Sequence, residues 1–291
     1  MVHVIQCDNE QKWDKYVLTS NSSTGYHQVG WKNIIEKTYG LKWFYFMAVD
    51  NGEALGVLPL FFIKSKLFPT HLVSLPFLNY GGICADNVDA EKQLLIEAIN
   101  LMKEVGAEYV EMHHINNHEL DLATNEDKVT MVLKLEYDPE VMWKSFNSKV
   151  RNQVRKAEKS GLEVKVGGSE YLDDFYEAFA INMKDLGSPV HRKALFENLL
   201  HEFPDTTRIF TVYLGSENVG GAIFISFKDT AEVPWASSKR EYLQYCPNNL
   251  LYWEMIKYAC EQRFKYFDFG RSTKDSCTYH FKKQWGAESK Q

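Results

Sequence analysis

Residues 46–61 read FMAVDNGEALGVLPLF, and residues 210–225 read FTVYLGSENVGGAIFI. At a constant offset of 164 residues, Phe46 meets Phe210, Glu53 meets Glu217 and Gly56 meets Gly220. Each stretch is a β-rich run, a polar turn carrying Glu, and an apolar run that opens with Gly, which is the pattern of a β-hairpin. Downstream the order repeats. LLIEAINLMKEVGAEYVEM (94–112) and LYWEMIKYACEQRFKYFDF (251–269) each give an amphipathic helix, a short break and a strand, with Ile99 against Ile256 and Tyr109 against Tyr266. Two copies in the same order predict two similar α/β modules in place of one large sheet.

Outward from the repeat, a chain of 291 residues has room for two modules of ordinary domain size. Asp138-Pro139 lies between the copies, Asp being a good N-cap and Pro suiting the first helical position. The sequence therefore predicts domains at 1–137 and 138–291, the second opening with one helix from about Pro139 to Ser160 that stops at Gly161. A strand, Leu162 to Val166, follows it.

The net charge of −6 argues against attraction of the whole surface to nucleic acid or anionic membrane. Against that sign, Lys144 to Lys159 holds six basic residues and one acidic. Ser148, Arg151 and Arg155 share a face of this helix. Such a run serves either as a solvated helix face or as a phosphate cradle, since guanidinium forks match phosphate oxygens. A diphosphate or a tRNA backbone would suit the second use. Val141, Phe146, Val150 and Val154 are its expected core contacts.

Five scattered cysteines without a C-x-x-C pair read as reduced thiols, and no basic-then-apolar leader or spanning run is visible, so a cytoplasmic protein without a transmembrane segment is expected. Peripheral contact with a membrane stays open. His113, His114 and His118 do not complete a metal shell, because adjacent residues of a strand face opposite ways; no metal is expected. There is no P-loop or dinucleotide fingerprint, and no G-x-S-x-G or Cys/His nucleophile arrangement. Direct attack of a bound amine is preferred over a covalent enzyme intermediate.

WKSFNSKVRNQVRKAEKSGL (143–162) resembles the basic helix of the FemABX family of peptidoglycan-bridge aminoacyltransferases. FDFGRS (267–272), YHFKKQWG (279–286), PNNLLYWEMIK (247–257) and MKDLGSPV (183–190) match the same family, so the resemblance covers nearly the whole chain. The wording is similar to the FemAB-related branch associated with exosortase and exopolysaccharide loci. The resemblance implies an α/β (α+β) fold of two tandem GNAT-like domains, each a twisted mixed sheet flanked by helices. It also implies an acyltransferase with no tightly bound cofactor, taking aminoacyl-tRNA as donor and a nucleotide- or lipid-linked envelope precursor as acceptor.

Residue by residue, Lys282 falls where the family has a lysine near the reacting carbonyl. His191 falls where related enzymes place an arginine on the acceptor's diphosphate, with Arg192 beside it. Tyr245 matches the tyrosine before the Pro-led helix, and Gln28 with Trp31 match the family's entry segment. From the residues themselves, Asp268 is either a proton acceptor or a loop brace. Arg271 and Ser272 follow a Gly at a strand end, where side chains often face a site. Tyr80-Gly81-Gly82 holds the matching place in the first half, as a close approach to ligand or as an ordinary turn. The alternative donor is acyl-CoA. GNAT enzymes that use it usually carry an [RQ]-x-x-G-x-[GA] loop, where this chain reads SSKREYLQYCPNN (237–249). A non-catalytic scaffold for envelope precursors is the second class of expectation.

Overall fold

The computed structural model describes residues 1–65, 68–115, 120, 122–125 and 127–290. The chain forms two compact units, Met1–Thr124 and Asn125–Gln291.

The first unit runs β1 (His3–Gln6), α1 (Glu10–Thr19), α2 (Gly30–Tyr39), β2 (Lys42–Asp50), β3 (Glu53–Ile63), β4 (His71–Val73), β5 (Cys84–Ala85), α3 (Val88–Val105) and β6 (Tyr109–Glu111). Its sheet has the order β1-β2-β3-β4-β6, with β5 also on β3. The second unit runs β7 (Lys128–Lys134), α4 (Pro139–Ser145), α5 (Ser148–Lys159), β8 (Leu162–Gly167), α6 (Leu172–Asp185), α7 (Lys193–Glu202), β9 (Thr207–Leu214), β10 (Glu217–Phe227), β11 (Thr230–Ser238), α8 (Pro247–Glu261), β12 (Tyr266–Thr273), α9 (Cys277–Lys283) and β13 (Glu288–Lys290). Its sheet order is β13-β7-β12-β11-β10-β9-β8.

The duplication holds at the level of single hydrogen-bonded rungs. In the first hairpin Asp50 faces Glu53, Val49 faces Ala54 and, after a bulge, Ala48 faces Gly56. In the second, Leu214 faces Glu217, Tyr213 faces Asn218 and, after a bulge, Val212 faces Gly220. The next strand repeats too: Gly56 and Val57 pair with Ala85 and Cys84, as Gly220 and Gly221 pair with Ser238 and Ser237. In both units a helix then leads to a strand that joins in parallel, β6 on β4 and β12 on β11.

Glycine is needed at both hairpin positions because the neighbouring strand comes close. A Cβ on Gly56 would lie 3.1 Å from the Cys84 carbonyl oxygen, and one on Gly220 would lie 2.8 Å from that of Ser237. Tight packing of this kind leaves no room for a methyl group.

The expected single helix 139–160 is two helices. Asn147 interrupts it, its side chain accepting from Val150 N at 2.9 Å and capping α5 afresh, while Phe146 turns extended with ψ 148°. Val141 is exposed and Met142 is buried instead, because it is Met142 that stands four residues before Phe146, and Phe146 four before Val150. Phe146, Val150, Val154 and Ala157 lie in the core beside α8 residues such as Trp253 and Ile256. Burying each of the two valines contributes roughly 1.5–3 kcal/mol, which fixes which face of α5 turns its charges outward. The units part between Thr124 and Asn125, ahead of Asp138, because β7 pairs with β12 and β13 of the second sheet.

Candidate active site

In the second sheet β11 and β12 pair in parallel over three rungs only, Thr230 with Tyr266 through Glu232 with Asp268. Beyond that rung β11 stays with β10 as far as Ser238, and β12 stays with β7 as far as Thr273. Past that rung no pair joins the two strands, which leaves a notch in the hydrogen-bond ladder just past Glu232 and Asp268. Both strands are bulged nearby. The β10–β11 register slips around Val233-Pro234, a place that tolerates Pro in a sheet. The β7–β12 register slips between Asp268 and Arg271, where Gly270 takes φ 74°, a conformation costly for other residues.

That second bulge organises the charged groups. Asp268 is buried and its Oδ1 accepts from Gly270 N at 2.7 Å. Ser276 caps α9 by accepting from Tyr279 N, and the helix carries Lys282 onto the bulge. The Lys282 Nζ donates to the carbonyl oxygens of Gly270 at 3.0 Å and Arg271 at 3.1 Å. Only 7% of Lys282 is exposed. Loss of water pushes its pKa down to about 8, against the opposing pull of Asp268 and Glu232. An ammonium has three N–H bonds. Two are taken by the bulge.

Around this centre Ser272 is buried with no partner for its Oγ, and Arg271 is half-buried. Tyr245 ends the turn before α8 and packs against the core. His191 stacks on Phe179, ring centroids 6.1 Å apart, and meets Trp235 edge-on at 6.2 Å. Burial lowers its pKa, so it is an uncharged imidazole at neutral pH, whereas neighbouring Arg192 is exposed. On α5, Arg151 is half-buried with its Nε unpartnered, and Arg155 lies over the Trp143 ring at 5.6 Å.

In the first unit Trp31 is core: it is 1% exposed and its Nε1 donates to Gly25 O at 3.0 Å. Tyr80 is buried against Tyr26, and Gly81 has φ 116°. The loop is approached by the unit's own groups: His27 Nε2 lies 2.9 Å from Gly82 O, and His114 Nε2 accepts from Ile83 N at 3.0 Å. A cavity of about 40 Å³ bounded by Tyr80, Gly81, His27 and His113 remains. Among the described residues no group of His, Cys, Asp and Glu is placed to hold a metal ion, and His118 lies outside those residues. No described helix is long and apolar enough to cross a membrane. All five cysteines are free thiols.

Glu232 and Asn147 were not singled out by the sequence. A charged residue amid the apolar run of β11 was the available signal for Glu232. Asn147 could have been read as a cap from its place before Val150.

A family model described as acetyltransferase (GNAT) domain matches residues 144–283, the part that contains the notch and Lys282. No curated protein matches the chain. Among solved structures, FemX superposes with a TM-score of 0.72 at 18% identity, covering 99% of this chain and 95% of that one. A tandem GNAT protein from the clavulanic acid biosynthesis pathway gives 0.62 at 9% identity, covering 100% and 96%. L-PGS from Bacillus licheniformis gives 0.58 at 10% identity, covering 90% and 88%. The fold is thus a tandem of two GNAT-like α/β units.

Proposed function

We propose that the chain is an acyltransferase that moves an aminoacyl or acyl group onto an amine of a nucleotide- or lipid-linked precursor of the cell envelope or of an exopolysaccharide. The observation that carries this reading is the buried Lys282 ammonium, seated on a strand bulge with two of its three N–H bonds taken. The lone pair of the acceptor amine attacks the donor carbonyl. Negative charge grows on its oxygen, and the free N–H of Lys282 stabilises that charge in a site largely cleared of water. The bond from the carbonyl carbon to the leaving oxygen or sulfur then breaks, and Lys282, with its pKa near 8, gives the leaving atom a proton. The proton shed by the amine passes to water, and solvent restores the ammonium.

Asp268 is proposed to take the bracing role of the two its sequence position allowed. Its buried carboxylate holds Gly270 N, and its charge favours the ammonium form of Lys282. Arg271, Ser272 and Tyr245 are proposed to line the substrate groove, and Arg151, Arg155 and Arg192 to meet phosphates. Tyr80 and Gly81 are proposed to border the small cavity of the first unit, and buried Trp31 to support it by packing.

Aminoacyl-tRNA is the proposed donor. Acyl-CoA is the second reading, favoured by the acetyltransferase match over residues 144–283. The test offers labelled aminoacyl-tRNA or acetyl-CoA to the chain with a nucleotide-linked muramyl peptide as acceptor. Transfer that falls about a hundredfold in Lys282→Met supports the reading. Full transfer by that variant removes Lys282 from the mechanism, and no transfer from either donor leaves the scaffold role as the better account.

A further inference from the structure

Asn147 makes two connections. Its Oδ1 accepts from Val150 N at 2.9 Å and starts α5. Its Nδ2 donates to the Gln284 carbonyl oxygen at 2.7 Å, 137 residues along the chain. Gln284 is the C-terminal cap of α9, two positions past Lys282. The residues on either side reinforce the link, since the Phe146 ring stands edge-on to Trp285 with centroids 5.0 Å apart. A helix as short as α9 has few internal bonds, so its end depends on what holds it.

We infer that Asn147 is a positioning residue, a clip that holds the end of α9 so that the Lys282 ammonium stays seated on the Gly270 and Arg271 carbonyls. Asn147, Arg151 and Arg155 follow at four-residue spacing and so lie along one face of α5. The clip therefore also fixes the basic helix relative to the lysine, within the same unit. The inference rests on the proposed role of Lys282, but the seat itself is measurable without any substrate.

The charged groups facing Lys282 are Asp268 of β12 and Glu232 of β11. Neither is changed by substitution at Asn147; because Asn147→Asp adds a carboxylate that itself favours the ammonium, the uncharged Asn147→Ser decides the Lys282 value. Two variants separate capping from clipping. Asn147→Asp keeps an acceptor for Val150 N and has no N–H to donate to Gln284. Asn147→Ser keeps a good N-cap and is too short to reach.

The apparent pKa of Lys282 is read by competitive labelling with acetic anhydride, followed by mass spectrometry of the α9 peptide. Both variants should fold, with far-ultraviolet circular dichroism like the parent. In both, the Lys282 value should move up from about 8 toward the ordinary 10.5 as the ammonium regains water. Turnover should fall about tenfold through kcat, with no further loss when either is combined with Lys282→Met.

Folded variants with an unchanged Lys282 value overturn the clip. So does a loss confined to KM, which would assign Asn147 to the phosphate-facing helix. Failure of the Lys282 reading would show separately, as Lys282→Met retaining full transfer in the parent.

Discussion

The ammonium of Lys282 and the carboxylate of Asp268 are joined through one residue, Gly270, whose carbonyl takes the first at 3.0 Å and whose N–H serves the second at 2.7 Å. A bulge with a left-handed glycine turns both backbone groups to where the side chains need them. The arrangement holds a positive charge out of water, which opposes stability.

The stability cost gives the first prediction. The folded pKa of Lys282, about 8, lies below the 10.5 of an ordinary lysine. The unfolded chain therefore binds this proton more tightly, and folding carries the whole cost below pH 8. The cost is relieved as pH rises from about 8 to 10.5. That gap corresponds to roughly 3 kcal/mol, partly offset in Lys282→Met by two carbonyls left without a donor. Lys282→Met should raise Tm by a few degrees at pH 7, and the gain should shrink toward pH 10. A variant less stable than the parent at both pH values would show that the ammonium is not held at a cost.

Rate should report the same group. The proton-donating form of Lys282 is lost above about pH 8, so kcat should fall along a basic limb there. Glu232 carries negative charge that favours the ammonium. Glu232→Gln removes that charge, lowers the lysine pKa further and moves the limb to lower pH. A limb that stays in place would dissociate Glu232 from the lysine.

Acceptor phosphates are predicted to be met by Arg192 and not by His191. The imidazole sits between Phe179 and Trp235, and burial keeps it uncharged at neutral pH. Arg192 stands exposed and permanently charged at the start of α7. Arg192→Ala should weaken UDP binding about tenfold in calorimetry, roughly one charge-assisted hydrogen bond. His191→Asn should leave it within about twofold. The reverse ranking would place the phosphates on the imidazole.

What the sequence disclosed was whatever local pattern determines. The hairpins, the two helix-to-strand units and the stop at Gly161 all have local causes and are all present. The lysine was legible only through resemblance, because nothing local distinguishes Lys282 from Lys283. Their difference lies in burial, which the non-local contact of α9 with the β12 bulge decides. The divergence of β11 and β12 past Glu232 is likewise non-local, and no spacing in the sequence announces it. The helix break at Asn147 is local, yet an Asn inside a basic amphipathic run reads as an ordinary surface residue until its partner Gln284 is known.

The repeat itself is testable through its glycines. Gly56 and Gly220 hold equivalent rungs, each pressed by the carbonyl of the adjoining strand, at 3.1 Å from Cys84 and 2.8 Å from Ser237 for an added Cβ. At Gly56 the nearest neighbour is Leu94 Cδ1 at 3.0 Å, the end of a flexible side chain, whereas at Gly220 the Ser238 Cα also lies at 3.2 Å. Backbone yields less readily than a methyl group, so Gly220→Ala should cost more. We expect about 1–3 kcal/mol for each, with Gly220→Ala toward the upper end. Urea unfolding of the two variants, followed by hydrogen exchange, should show lost protection in the strands of the first unit for Gly56→Ala and of the second for Gly220→Ala. Equal protection throughout in either variant would mean that the carbonyl contact is not what selects glycine there.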